Sequence, residues 1–129
     1  MKKQTISVII PAHNREKTIK YCISSVLKQS LLPDEIIVVD DASNDKTKEI
    51  VLSLKEKNPI IRYYHQEKKC GAQVARNIGI RKAAGDWIAF LDSDDEWLED
   101  KLKLQMEELA KRNYDFMTVV HSDFVEVFV

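Results

Sequence analysis

Four times along this 129-residue chain an apolar, mostly β-branched run gives way to a longer stretch with helical spacing. That alternation is what most narrows its possible folds. The runs are Ile6 to Ile10, Glu35 to Asp40, Ile60 to His65 and Trp87 to Asp92. Near-continuous apolar runs of this length read as strands buried on both faces, which is the habit of parallel sheets. The stretches between them read as helices over about 16–29, 43–57, 72–84 and 98–112. Ile19, Ile23, Val26 and Leu27 fall on one face of the first, and Leu98, Leu102, Met106 and Leu109 on one stripe of the last. Cys22 lies beside the first of these faces and reads as a small core residue. Ser43 or Asn44 is placed to cap the second helix. Phe116 to His121 reads as a further strand, followed by an apolar-rich piece from Phe124 to Val129. Strands and helices in this order predict an α/β fold: a mainly parallel sheet with helices on both faces and right-handed crossovers.

Length and charge fit one such domain. A chain of this size buries roughly two-thirds of its unfolded surface, enough for a single core. The formal net charge of −1 gives no basic field to attract nucleic acid. Cys22 and Cys70 follow neither a disulfide framework nor a metal-ligand spacing, which suits a reduced, cytoplasmic protein. The apolar run behind Met1 to Thr5 stops at Pro11, too short for a signal-peptide core, and no stretch approaches the length of a membrane span.

In a parallel sheet the C-terminal strand ends share one edge, and open α/β sheets bind their ligands there. Pro11 to Arg15, Asp40 to Asp45 and Asp92 to Asp95 would then line one crevice. The fourth run ends in Asp92-Ser93-Asp94-Asp95, three carboxylates within four residues. Such a cluster repels itself unless a cation compensates it, and hard divalent ions complete their shells with substrate phosphates. The plainer alternative is an acidic turn, with Asp95 and Glu96 favouring the dipole of the following helix. Asp40 and Asp41 end the second strand beside a helix start, where a carboxylate can accept hydrogen bonds from a base or a sugar hydroxyl. Their alternative role is local, in an Asx turn and a cap with Ser43. His13 reads as shaping its loop, Trp87 as packing, and Trp97 as packing or as an apolar wall over a sugar.

Taken together, four segments resemble the successive signatures of family 2 glycosyltransferases. They are Ile6 to Arg15, Ile36 to Asp45, Gly71-Ala72-Gln73-Val74-Ala75-Arg76-Asn77-Ile78-Gly79 and Phe90-Leu91-Asp92-Ser93-Asp94-Asp95. The resemblance covers nearly the whole chain. It implies a GT-A fold, a Rossmann-like three-layer α/β/α arrangement, that binds a nucleotide-diphosphate sugar through Mn²⁺ or Mg²⁺ and transfers the sugar with inversion. It assigns the nucleotide to the loop of Pro11, Ala12, Asn14 and Arg15, and the base to Asp40 or Asp41, with Asp40 slightly favoured. The ribose or metal goes to Asp92 and Ser93, and the metal to Asp94 with Asp92. Arg76 supports the diphosphate or the acidic strand end, the alternative being a structural ion pair.

The resemblance also implies a UDP-sugar donor, a saccharide or lipid-linked acceptor, and a place in bacterial cell-surface glycan synthesis, at the inner face of the membrane. The family's general base lies in an acceptor-binding part, expected beyond residue 129. Residues 1–129 therefore read as a single donor-binding domain, truncated and inactive alone, whose apolar C-terminal edge favours self-association. A non-catalytic module binding a nucleotide sugar or another protein is the alternative. A phosphoacceptor receiver would need its acidic pair after the first strand, where Pro11-Ala12 stand, and a dinucleotide fold would need Gly-x-Gly-x-x-Gly after a strand, which no strand shows.

Overall fold

The computed structural model describes residues 2–122. Its elements alternate as predicted: β1 (Ile6–Ala12), α1 (Ile19–Leu27), β2 (Glu35–Asp41), α2 (Thr47–Lys57), β3 (Ile61–Gln66), α3 (Ala72–Lys82), β4 (Trp87–Phe90) and α4 (Lys101–Lys111). The four strands form one parallel sheet in the order β3-β2-β1-β4.

The two-residue period of a strand divides the apolar runs between two layers. Ile6, Val8, Ile10 and Ala12 of β1, with Ile36 and Val38 of β2 and Ile61 of β3, join Ile19, Cys22, Ile23 and Val26 of α1, Val51 of α2 and Leu102 of α4 in one buried cluster. On the other face Ile37 and Val39 meet Ala75 of α3. Each of these fully buried Ile and Val side chains contributes on the order of 1.5–3 kcal/mol by leaving water. The result is the three-layer α/β/α arrangement. Helix α3 lies close to the sheet because position 79 has no side chain: a Cβ there would come within 2.5 Å of Cγ2 of Ile9.

At the N-terminal strand ends the opposite device operates. Glu35 accepts hydrogen bonds from Ser7 Oγ at 2.6 Å, the Ala84 N–H at 2.7 Å and Arg62 at 2.8 Å. These tie β1, β2, β3 and the turn before β4 into one knot. Burial pushes the Glu35 pKa up, but the bonds from Ala84, Ser7 and Arg62 outweigh it and hold the carboxyl below its usual range. Among the described residues no buried side-chain nitrogen or oxygen lacks a hydrogen-bond partner.

Three local expectations need correction. Neither Ser43 nor Asn44 caps α2: Lys46 holds the N-cap position without a side-chain cap bond, Asp45 just before it accepts the Thr47 N–H on Oδ1 at 2.9 Å, and Ser43 Oγ is taken by the Asn14 N–H. Phe116 to His121 is not a strand. Phe116 instead stacks on Trp87 at 5.3 Å between ring centroids, and Met117 and Val119 stand exposed. Leu98, assigned to the apolar stripe of the last helix, precedes α4 in a turn and is exposed. The apolar piece from Phe124 to Val129, expected to favour self-association, lies outside the described residues. No helix among the described residues is long and apolar enough to cross a membrane.

Candidate functional site

Strand order explains where a site forms. From β1 the chain winds outward through β2 to β3, then returns to place β4 on the other side of β1. The crossovers therefore diverge next to β1, and a crevice opens outside the carboxyl ends of the strands at that switch point. A cleft of about 380 Å³ lies there. Pro11, Ala12, His13 and Arg15 line it from the end of β1, Asp41 from β2, and Asp92, Ser93 and Asp94 from beyond β4. The N-terminal turns of α3 and the loop before it close the wall with Lys69, Gly71, Ala72, Ala75 and Arg76.

Of the ten residues named as nucleotide or metal contacts, eight line the cleft and two do not, because adjacency in sequence does not decide which reach it. Pro11, Ala12, Arg15, Asp41, Arg76, Asp92, Ser93 and Asp94 do line it. Asn14 stands behind the wall: its N–H donates to Ser43 Oγ and its Oδ1 accepts the Asn44 N–H, both at 2.9 Å. Asp40 does not line the cleft either. Its carboxylate is wholly buried on the α1–α2 face, accepting the Ser43 N–H at 2.9 Å and the Tyr63 hydroxyl.

Asp41, one residue on, points to the α3 face. Its Oδ1 and Oδ2 accept the N–H groups of Cys70 and Gly71, each at 2.7 Å, which fixes the entry into α3. Gly71 has a φ of +93°, a conformation open to glycine at little cost. Each carboxylate oxygen has a second acceptor site, so Asp41 can still receive a donor from a molecule in the cleft. His13 shapes the same wall, its Nδ1 lying 2.7 Å from the Asp41 carbonyl oxygen.

On the other side, Asp92 and Asp94 point into the cleft while Ser93 between them is buried, its carbonyl held by Thr18 Oγ1 at 3.0 Å. Each acidic side chain faces a guanidinium: Arg76 donates to Asp92 at 2.8 Å, and Arg15 stands 3.8 Å from Asp94. Asp95 turns away from the cleft, and burial, then the charges of Asp94 and Asp92, raises its pKa. Beneath them burial, reinforced by Asp95 and its acidic neighbours, pushes the Cys22 thiol far up, so it stays protonated and unreactive as it packs against the Asp92 carbonyl.

The cleft thus holds three carboxylates and three cations, Arg15, Lys69 and Arg76. No sequence motif marks Lys69. Its signal is positional: a cation two residues ahead of Gly71, where the third helix begins. Among the described residues no three His, Cys, Asp or Glu side chains gather around a common point as a ready metal cage. Asp92 and Asp94 alone offer a pair of hard oxygen donors. That set fits an ion of the Mg²⁺ or Mn²⁺ type, which takes one or two carboxylates and fills its remaining positions with water and phosphate.

Comparison with known proteins bears on this arrangement. The profile of Glycosyl transferase family 2 matches residues 7–127. Over 112 residues the chain is 43% identical to UDP-Glc:alpha-D-GlcNAc-diphosphoundecaprenol beta-1,3-glucosyltransferase WfgD of Escherichia coli, covering 87% of this chain and 44% of that protein. The chain thus spans less than half the length of this curated relative. Among solved structures, S. aureus TarS 1-349 in complex with UDP superposes with a TM-score of 0.77 at 32% identity, over 84% of this chain and 33% of that one. Mannosyltransferase PcManGT from Pyrobaculum calidifontis, in complex with GDP-Man and Mn2+, gives 0.78 at 27% identity over the same shares. With the order of its strands, a cleft at their switch point and a profile match over nearly all its length, the chain belongs to glycosyl transferase family 2 and carries the GT-A fold of its structural neighbours.

Proposed function

We propose that the cleft binds a nucleotide-diphosphate sugar, a UDP-sugar, and that residues 1–129 are the donor-binding domain of an inverting glycosyltransferase. The observation that carries this reading is the division of labour across the switch point. Asp41, nearly buried at the end of β2, and Asp92, Asp94 and Arg76 beyond it line one cleft of about 380 Å³, which puts an acceptor for a base and the charges for a diphosphate on the same crevice.

Asp41 is the better contact for the base, since it lines the cleft whereas Asp40 has no exposed surface and does not reach it. Pro11 and Ala12 supply the wall beside the base, and Ser93 holds the segment that presents its two neighbours. Arg76, Arg15 and Lys69 supply positive charge for the phosphates, with guanidinium geometry suited to paired oxygens.

Asp92 and Asp94 would hold Mn²⁺ or Mg²⁺, which would offset the charge that develops on the departing diphosphate. The support is the donor set itself, together with the Mn2+ that accompanies GDP-Man in the PcManGT complex. The acceptor, a saccharide or a lipid-linked glycan, is inferred from the WfgD relative, whose name specifies a diphosphoundecaprenol acceptor. A carboxylate to deprotonate that acceptor is assigned to a part of the protein outside residues 1–129.

The test is calorimetric titration of the chain with UDP, GDP, CDP and ADP, each with Mn²⁺ and with chelator. Metal-dependent binding in which UDP leads supports the proposal. A folded chain that binds none of them would sink it.

A further inference from the structure

We propose that Tyr63, which does not reach the cleft, is a positioning residue for its nucleoside end, acting through Asp40 on the corner at Ala42. The inference rests on the nucleotide reading above and deepens it.

A wholly buried carboxylate is costly unless its oxygens are satisfied. Among the described residues Asp40 has two hydrogen-bond partners: the Ser43 N–H on Oδ1 at 2.9 Å, and the Tyr63 hydroxyl on Oδ2. His65 Nδ1 stands off at 3.8 Å. Burial and the adjacent carboxylate both keep the Tyr63 phenol protonated, so it remains a donor.

What Asp40 braces is a strained corner. Ala42 has a φ of +59°, the left-handed region, which costs a residue with a Cβ roughly 1–2 kcal/mol. Such a conformation persists only where its surroundings impose it. The Asp40–Ser43 bond spans that residue. Beyond the corner, Ser43 Oγ accepts the Asn14 N–H, and Asn14, itself at φ +51°, accepts the Asn44 N–H. His13 meets the Asp41 carbonyl within the same interlock. Beyond the last β1–β2 pair, Ala12 with Asp40, the loop carrying His13 and the chain leaving Asp41 are therefore set relative to each other by a corner whose brace ends at Tyr63.

The diphosphate end has separate supports. Thr18 holds the Ser93 carbonyl, and Arg76 holds Asp92. Removing the Tyr63 hydroxyl leaves Asp40 Oδ2 buried without its partner, and the carboxylate turns from Ser43 to recover one. The corner then relaxes, and the effect falls on the nucleoside end alone.

Titrating wild type and Tyr63→Phe with UDP and with inorganic pyrophosphate, both with Mn²⁺, tests this. The expected result is UDP affinity reduced roughly tenfold, the scale for one buried hydrogen bond, with pyrophosphate affinity unchanged. Adding Ala42→Gly, which removes the cost of the left-handed corner, should restore most of the lost UDP affinity. Equal loss of UDP and pyrophosphate, unchanged UDP binding, or no rescue by Ala42→Gly would each overturn the proposal. Should Tyr63→Phe fail to fold, Asp40→Asn carries the same comparison and the same rescue. Wild type that binds pyrophosphate but not UDP would instead refute the nucleotide reading on which the relay depends.

Discussion

Asp40 and Asp41 leave β2 on opposite faces of the sheet: the first is sealed between the strands and the α1–α2 layer, and the second opens onto the cleft beneath α3. A strand's two-residue period forces this split. Consecutive, chemically identical side chains thereby take different tasks, one bracing a turn and the other lining a site.

For Asp41 the expectation is a double loss. Asp41→Asn keeps the shape but replaces one acceptor oxygen by a donor facing the N–H groups of Cys70 and Gly71. We predict weaker UDP binding, together with about 1–3 kcal/mol of lost stability from a disrupted charge-assisted pair. Calorimetry and urea unfolding measure the two effects. Unchanged values in both would remove Asp41 from the site and from the entry to α3.

Asp94 faces the cleft, and among the described residues its one ion pair is a long, exposed one to Arg15. Asp94→Asn is therefore predicted to leave the melting temperature nearly unchanged, because exposed pairs contribute little. Metal-dependent UDP affinity should fall by about 1–3 kcal/mol. Equal UDP affinity of variant and wild type in Mn²⁺ would show that Asp94 is not a metal ligand.

Glu35 gives the protein an acid-sensitive knot. Its folded-state pKa is depressed, because hydrogen bonds from Ala84, Ser7 and Arg62 overcome the opposing effect of burial. A depressed carboxyl stabilises the fold at pH values above its unfolded pKa, and that contribution disappears as pH falls through the folded pKa. Glu35→Gln should lower stability near neutral pH and flatten the loss between the ordinary glutamate range and the more acidic folded value. Parallel acid limbs for wild type and variant in a pH series of denaturant melts would contradict this.

Gly79→Ala probes the close approach of α3 to the sheet. The added methyl would meet the Ile9 side chain at 2.5 Å, so either α3 or Ile9 must move. Overpacking of this kind costs typically about 1–3 kcal/mol, more than the helix propensity gained from alanine. A variant as stable as wild type would mean that Ile9 repacks freely.

Much of the fold was legible because the apolar runs and helical stripes are long and agree with one another. What escaped the sequence depended on tertiary choices. Phe116 to His121 has the composition of a strand, but composition does not supply a neighbour to pair with, and Phe116 stacks on Trp87 instead. The start of α2 is hard to place from sequence because Ser43, Asn44 and Asp45 are all capable caps; the interlock with Asn14 claims the Ser43 hydroxyl and the Asn44 N–H, and Asp45 is left to meet the Thr47 N–H.

The split between Asp40 and Asp41 was equally hidden. Local sequence shows that they face opposite ways, but β2 is apolar on both faces, so no alternation reveals which side carries the cleft. The position of Gly71 over that strand settles it. Lys69 is hidden for a similar reason: it lies in a polar loop with Lys68, and only the placement of α3 brings it to the wall.

The most direct test of the central claim is a crystal structure of the chain grown with UDP and MnCl₂, with data collected at the manganese absorption edge. The account predicts an anomalous peak at coordination distance from the Asp94 carboxylate, the diphosphate beside it, and the uracil against Asp41. Uracil seated elsewhere, or a manganese peak remote from both Asp92 and Asp94, would contradict it.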